Sequence, residues 1–294
     1  MKTFSLLFAS IAIVGLPLLA AASIEAKGPP VVRLASDLIG MKVVSQQGDD
    51  LGKIEDVVVR PAGEASYAVL SFGGMLGMGD KLFAMPWSVL RSLDANSSRK
   101  DDDTALVLPL DKERLKGAPG FDRQNWPAIA NPEWTKEIDA FYAGDLTPDA
   151  KKAVDASART SSITWKASEL KGANVMNPAG EKLGDLKELA IDSNGRVSYV
   201  AVSVGGFLGT GDKLVAIPWD ALKFSLGGDQ SDKRVISLAS TKQQLESAPE
   251  FKEGKDNRAS MCDPKWITSL YAHFSCPVYW TGPMSKTNTR PPKN

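Results

Sequence analysis

The sequence predicts a mainly β fold made of two copies of one small unit, each followed by a short helical tail that carries tryptophan. The first observation is an internal duplication: Ser36–Leu90 aligns without a gap with Ser168–Leu222, 132 positions later. About 23 of the 55 aligned positions are identical, which is far above chance. The second observation is that each copy contains short β-branched and aromatic runs bounded by turn residues.

Both copies contain the same series of predicted elements. The Asn-Gly pair within Asp192–Gly195 favours a tight hairpin turn between two strands. Many short strands in each copy indicate a small barrel or a sandwich. The predicted strands are Ser66–Phe72, Lys81–Pro86, Leu106–Leu110, Ser198–Val204, Lys213–Pro218 and Arg234–Leu238, and the predicted short helices are Asp111–Lys116 and Thr241–Ser247.

The N-terminal segment has the pattern of a secretory signal peptide. Lys2 precedes the apolar run Phe4–Leu19, and an A-x-A site at Ala20–Ala22 predicts cleavage before Ser23. The mature chain is therefore expected to be exported, to the periplasm or the medium, without a stable membrane span. An uncleaved anchor is the alternative, because the apolar run is only just long enough to span a bilayer.

Composition excludes several functional classes. The formal net charge is zero and the pI is about 6.6, which argues against a nucleic-acid partner. A single histidine, His273, disfavours histidine-rich metal sites. Cys262 and Cys276 are predicted to form a disulfide, as expected in an oxidising compartment. A metal site formed by Cys262, Asp263, His273 and Cys276 is the weaker alternative, because the C-x-x-C spacing is missing.

Three matched motifs resemble the PRC-barrel domain family, which includes the barrel of the photosynthetic reaction-centre H subunit. They are the D/E-L-x-G openings (Asp37–Gly40, Glu169–Gly172), the G-x-x-L-G turns (Gly48–Gly52, Gly180–Gly184) and the Pro-Trp endings (Pro86-Trp87, Pro218-Trp219). The resemblance covers about residues 36–115 and 168–245. It implies two small, strongly bent β-barrels that act as adaptors or interaction surfaces, with no shared catalytic residue. No cofactor is expected.

The resemblance and the composition together divide the chain into five segments. They are a signal peptide (1–22), a first PRC barrel (33–122), a helical tail and linker (123–162), a second PRC barrel (163–252) and a C-terminal tail with the predicted disulfide (253–294). Trp87 and Trp219, which follow proline in the two copies, are expected in the barrel core or at its rim.

A glycine-rich loop in each copy is the main candidate for contact with a protein partner. Neither loop matches a phosphate-binding loop, because Asp80 stands where that pattern requires lysine and a strand follows. Apolar loop residues often mark contact sites, although packing onto the barrel is an equal alternative. The candidate residues are Gly73, Gly74, Met75, Leu76, Asp80, Lys81, Gly205, Gly206, Phe207, Leu208, Asp212 and Lys213.

The aromatic tails raise a second function. Trp126, Trp134, Trp266 and Trp280 could bind a glycan or another small ligand, since aromatic faces pack well against flat apolar surfaces. Trp134 and Trp266 recur at matched positions, which favours packing of each tail onto a barrel. The sequence contains no G-x-S-x-G or H-E-x-x-H motif. A non-enzymatic protein is therefore expected, and a hydrolase with an unrecognised carboxylate pair is the least favoured alternative.

Overall fold

The computed structural model describes residues 32–72, 81–92, 105–127, 131–145, 164–205, 213–226, 234–252 and 263–281, with Gly254 and Asn257. The elements of the first half are β1 (Val32–Leu34), α1 (Ala35–Leu38), β2 (Lys42–Val44), β3 (Asp50–Val59), β4 (Ala65–Ser71), β5 (Lys81–Pro86), β6 (Arg91–Ser92), β7 (Leu106–Val107), α2 (Lys112–Lys116), β8 (Gly120–Asp122) and α3 (Pro132–Tyr142).

The second half repeats this order, except that no strand among its described residues corresponds to β8, and it confirms the predicted mainly β fold of two small units with helical, tryptophan-bearing tails. The predicted strand at Leu106–Leu110 is shorter than expected and ends at Val107. The elements are β9 (Trp165–Lys166), α4 (Ala167–Leu170), β10 (Asn174–Met176), β11 (Lys182–Asp192), β12 (Val197–Val204), β13 (Lys213–Pro218), β14 (Leu222–Leu226), β15 (Arg234–Leu238), α5 (Lys242–Glu246) and α6 (Pro264–His273).

Each copy forms one bent sheet, and the two strand orders match except for β8 at the edge of the first sheet. In the first copy the order is β6-β7-β2-β3-β4-β5-β8, and in the second it is β14-β15-β10-β11-β12-β13. The long strands β3 and β11 each form a hairpin with the next strand, and the short strands β2 and β10 each pair in parallel with a late strand of the same copy. These parallel pairings connect the beginning and the end of each unit.

The two copies exchange their first strands. β1, which precedes the first copy in the chain, pairs antiparallel with β11 of the second copy at Val32↔Asp192, Arg33↔Ile191 and Leu34↔Ala190. β9, which precedes the second copy, pairs with β3 of the first copy at Val58↔Lys166 and Val59↔Trp165. Each sheet is therefore completed by a strand that the sequence places with the other unit.

A bulge interrupts the long strand of each copy at matched positions. The register of β3 on β4 shifts between Ile54 and Asp56, and that of β11 on β12 shifts between Leu186 and Glu188. Bulges bend a strand and re-aim the side chains beside them. In both copies the first residue after the shift is acidic, and its carboxylate reaches across to the other copy.

One hydrophobic core extends through both copies. Its buried members include Val57 and Leu70 of the first copy with Leu186 and Val200 of the second. A smaller cluster lies on the outer face of the second sheet, beneath α6 and the residues that follow it. The tandem units thus share buried apolar surface. We expect them to unfold together, because separating the copies would expose the apolar side chains of the shared core to water.

Candidate functional site

The junction between the copies has approximate two-fold symmetry. The amide of Ala65 donates to the carbonyl of Gly195 at 2.6 Å, and the amide of Val197 donates to the carbonyl of Gly63 at 2.7 Å. These two bonds are exchanged by the 132-residue shift. Glu64 and Arg196, which correspond to each other under the same shift, form a β-bridge between them and so lie on the axis.

Each copy places its Pro-Trp tryptophan against the turn glycine of the other copy. A Cβ atom added to Gly63 would lie 2.6 Å from Cδ1 of Trp219, and one added to Gly195 would lie 2.7 Å from Nε1 of Trp87. Both glycines also have positive φ, +84° and +82°, which residues with a side chain rarely adopt. Glycine is therefore needed twice over at these turns, for the backbone conformation and for the approach of the indole.

Three aromatic rings pack together on one side of the junction. The rings of Trp219 and Phe224 stack with centroids 4.3 Å apart, and the ring of Trp165 lies 5.0 Å from that of Phe224. The indole Nε1 of Trp219 donates to the carbonyl of Pro61 in the first copy at 2.9 Å. The burial of Trp87 and Trp219 confirms the prediction that they lie in the core or at the rim, and each of them also contacts the turn glycine of the opposite copy.

A carboxylate of each copy caps the first helix of the other. Asp56 accepts hydrogen bonds from the backbone N–H of Ser168 at 3.2 Å and from its hydroxyl, at the start of α4. Glu188 accepts from the backbone N–H of Ser36, at the start of α1, at 3.3 Å. Burial raises the pKa of Asp56 above its ordinary value, and these hydrogen bonds oppose the rise without cancelling it.

The pH dependence of stability is expected to reflect Asp56. Because its pKa is raised in the folded chain, the folded state binds the proton more tightly, so this group's contribution to stability falls as pH rises from 3.8 through the folded pKa. The Asp56→Asn variant cannot ionise, and we expect it to lose that part of the pH dependence. Urea unfolding of both proteins across this pH range measures it; parallel stability curves for the native chain and the Asp56→Asn variant would contradict the expectation.

The residues after α6 are fastened to the hairpin turn of the second copy. The hydroxyl of Tyr279 donates to Oδ2 of Asp192 at 2.9 Å, and the guanidinium of Arg196 lies 4.7 Å from the centre of the Tyr279 ring. Arg196 also pairs with both carboxylate oxygens of Asp220. Burial raises the pKa of Asp192 despite backbone hydrogen bonds from Arg196 and Asn194.

The candidate loops are described only at their bases. Lys81 is exposed, whereas Lys213 donates from Nζ to the carbonyls of Glu246 and Ala248 at the end of α5. Gly205 lies directly after β12 and is half-buried. The remaining candidate residues lie outside the described part of the chain: Gly73, Gly74, Met75, Leu76, Asp80, Gly206, Phe207, Leu208 and Asp212.

The tail tryptophans pack onto the barrels. The ring of Trp134 in α3 lies 6.1 Å from that of Tyr67 and 5.7 Å from that of Phe121. The ring of Trp266 in α6 lies 5.3 Å from that of Tyr199. The hydroxyl of Tyr67 donates to Asp139 of α3, which fixes the helix on the sheet by a polar contact as well. The matched tryptophans therefore have an architectural role in both copies.

The predicted disulfide stays a prediction. Cys262 lies outside the described residues, and Cys276 is a half-buried free thiol in the structure. Burial raises the pKa of the Cys276 thiol, with the charge of Asp220 as a smaller cause in the same direction. The amide of Cys276 donates to the carbonyl of Tyr271, which folds the chain back over the end of α6.

The described residues contain neither a metal cluster nor a membrane-spanning helix. Within the described ranges, no group of three or more His, Cys, Asp or Glu side chains is placed to hold a metal ion. No helix in that part of the chain has the length and apolar character needed to cross a membrane.

Sequence reasoning missed the junction residues, although the duplication contained a signal for them. Gly63 and Gly195 are identical in the two copies, as are Trp87 and Trp219, and a residue retained in both copies of a pseudo-symmetric pair can serve the same contact twice. The acidic residues at 56 and 188 are likewise matched in charge. None of these matches indicates from sequence alone that the contact crosses between copies.

Two small bent sheets joined by a reciprocal junction define a tandem β-barrel protein. The family model of the PRC-barrel domain matches residues 30–114 and 165–242, which together make up more than half of the chain. The chain therefore belongs to the PRC-barrel domain family, in two tandem copies, and the predicted resemblance is confirmed. No curated protein matches the chain. Domains of this family suggest a protein-interaction module.

Proposed function

We propose that this protein is an exported, non-enzymatic adaptor that holds a protein partner on the surfaces of its paired barrels. The observation that carries the proposal is the reciprocal junction. The two copies are fixed relative to each other by the exchanged strands, by the matched tryptophans and by the carboxylates that each cap a helix of the other copy. The pair can therefore act as one rigid frame. Rigid scaffolds that present loops are a common arrangement in binding proteins.

The matched glycine-rich loops are the proposed contact regions on this frame. β4 begins beside the junction at Ala65 and runs for seven residues to Ser71, from which the first loop follows. At about 3.4 Å per residue, this strand is roughly 20 Å long, and the loop base lies at its end away from the axis. β12 does the same for the second loop, so the two loop bases lie at the strand ends away from the junction.

Crosslinking of the exported protein in its own cells tests the proposal. We expect the intact chain to crosslink to a protein partner, and we expect a variant with Met75, Leu76, Phe207 and Leu208 replaced by Ser to lose at least nine-tenths of that product. The physical reason is that apolar loop side chains contribute contact area that serine cannot replace.

A matched control variant carries four serine substitutions at exposed positions outside the loops: Gln46, Gln47, Lys171 and Lys223. This control should retain the partner. Equal loss from both variants, or full retention by the loop variant, would contradict the loop assignment. N-terminal sequencing of the purified protein tests export separately, because cleavage of the proposed signal peptide leaves Ser23 as the first residue.

A further inference from the structure

The two exchanged segments have the same design but are not anchored equally. β9 with α4 has the sequence Trp165-Lys-Ala-Ser-Glu-Leu170, and β1 with α1 has the matching sequence Arg33-Leu-Ala-Ser-Asp-Leu38. Each lays a short strand and one helical turn along the edge of the other copy's long strand. The two segments therefore show, once in each copy, what kind of segment the edge of the long strand accepts.

Side-chain burial holds β9 on the first copy more firmly than it holds β1 on the second copy. Trp165 is 2% exposed and is held between β3 and the ring of Phe224. The matching position on β1 is occupied by Arg33, and all three residues of β1 are only half-buried. Full burial of a large aromatic side chain is strongly favourable, so β1 lacks the largest apolar anchor that β9 has.

The helix caps differ in the same direction. Ser168 donates both its amide and its hydroxyl to Asp56, which is 4% exposed. On the other side, the amide of Ser36 donates to the more exposed Glu188 at 3.3 Å. Hydrogen bonds shielded from water are stronger than those open to it. Although β1 has three ladder pairs with β11 and β9 has only two with β3, the buried indole and the shielded cap of β9–α4 make β1–α1 the segment that detaches more readily.

Detachment of β1 would expose the edge of β11 at Ala190–Asp192, and an exposed sheet edge is a template for another strand. Resting on the proposed adaptor function, we infer that this edge is a second partner-binding surface beside the loops, where an extended segment of the protein partner adds to β11 in place of β1. The partner segment would carry apolar residues at the positions that Val32 and Leu34 occupy, because both of these side chains pack against the hydrophobic cluster beneath α6. Main-chain hydrogen bonds supply the affinity in this mode of recognition.

Hydrogen exchange of the full-length protein tests the unequal anchoring. Amides of Val32–Leu34 are expected to exchange at least tenfold faster than those of Trp165–Lys166, because β1 opens more often. Equal protection of the two segments would overturn the inference.

A disulfide staple tests the edge directly. Leu34 and Ala190 are opposite each other in the ladder, at a spacing that a disulfide can bridge. The Leu34→Cys/Ala190→Cys chain, with Cys262→Ser and Cys276→Ser, is compared in its oxidised and reduced forms, so that each protein is its own control. The probe is a labelled peptide with the sequence of residues 30–39, PVVRLASDLI. We expect at least tenfold weaker binding to the oxidised form.

Equal peptide binding by the oxidised and reduced forms would overturn the inference. In the cellular crosslinking experiment the stapled protein is compared with the Cys262→Ser/Cys276→Ser chain that lacks the staple, because the oxidising compartment proposed for the chain would keep the staple closed. Retention of the partner by the stapled protein contradicts the edge assignment while leaving the adaptor proposal intact; absence of a partner from every variant contradicts the adaptor proposal itself. Dimerisation of the reduced protein that oxidation abolishes would assign the edge to a second copy of the chain and would overturn its assignment to a partner.

Discussion

Replacing Gly195 with Ala is expected to lower the free energy of unfolding of the whole two-copy protein by about 3 kcal/mol. A positive φ of +82° is unfavourable for alanine, and this conformation accounts for about 1 kcal/mol of the loss. The remainder comes from the new methyl group, which would lie within 2.9 Å of three ring atoms of Trp87. That indole is buried, so it cannot move aside without disturbing the junction.

Gly180→Ala is the matched control. Gly180 has the same φ of +82°, but nothing lies within 4 Å of the position that its Cβ would occupy. This variant should therefore show only the backbone part of the loss, about 1 kcal/mol. Urea unfolding of the two variants measures the difference. Equal losses of stability would mean that the contact between Gly195 and Trp87 is not a tight one and would contradict the described junction.

Replacing Trp219 with Ala is expected to have the largest effect of any single substitution at the junction, a loss of about 3 to 5 kcal/mol. Trp219 is 1% exposed, stacks on Phe224 and donates to the carbonyl of Pro61 in the other copy. Truncation leaves a cavity between the copies and an unsatisfied carbonyl. The free energy of unfolding from a urea titration measures the loss.

Trp219→Phe separates the two contributions. Phenylalanine keeps a ring that can stack on Phe224 but cannot donate to Pro61, so a smaller loss of about 1 to 2 kcal/mol is expected. A loss in the Phe variant as large as in the Ala variant would assign the stability to the hydrogen bond alone. A loss below about 1 kcal/mol in the Ala variant would show that the indole does not hold the copies together.

The individual units could be predicted well from the sequence because their signals are local. β-branched runs such as Ser198–Val204, the Asn-Gly turn before them and the capped helix after Thr241 are each specified by neighbouring residues. The internal duplication then showed the pattern of most elements a second time, 132 residues later. The motif resemblance, and not the strand pattern, distinguished a barrel from a sandwich.

The exchange of strands could not be predicted because β1 and β9 have three and two residues. Runs this short have no measurable alternation, and their partners lie far away in the sequence. Local signals also leave open which copy Trp87 and Trp219 contact, because a buried tryptophan after proline fits the core of its own barrel as well as the surface of a neighbouring one. The two-fold relation emerges only when contacts between the copies are compared at positions 132 residues apart.

The most direct test of the reciprocal junction is urea unfolding of the full chain followed by hydrogen-exchange mass spectrometry of one peptide from β4 and one from β12. Because the copies share one core and complete each other's sheets, both peptides should become unprotected at the same urea concentration, and Gly195→Ala should lower both midpoints equally. Separate midpoints, with the substitution shifting only the peptide from β12, would show two independent barrels and contradict the junction.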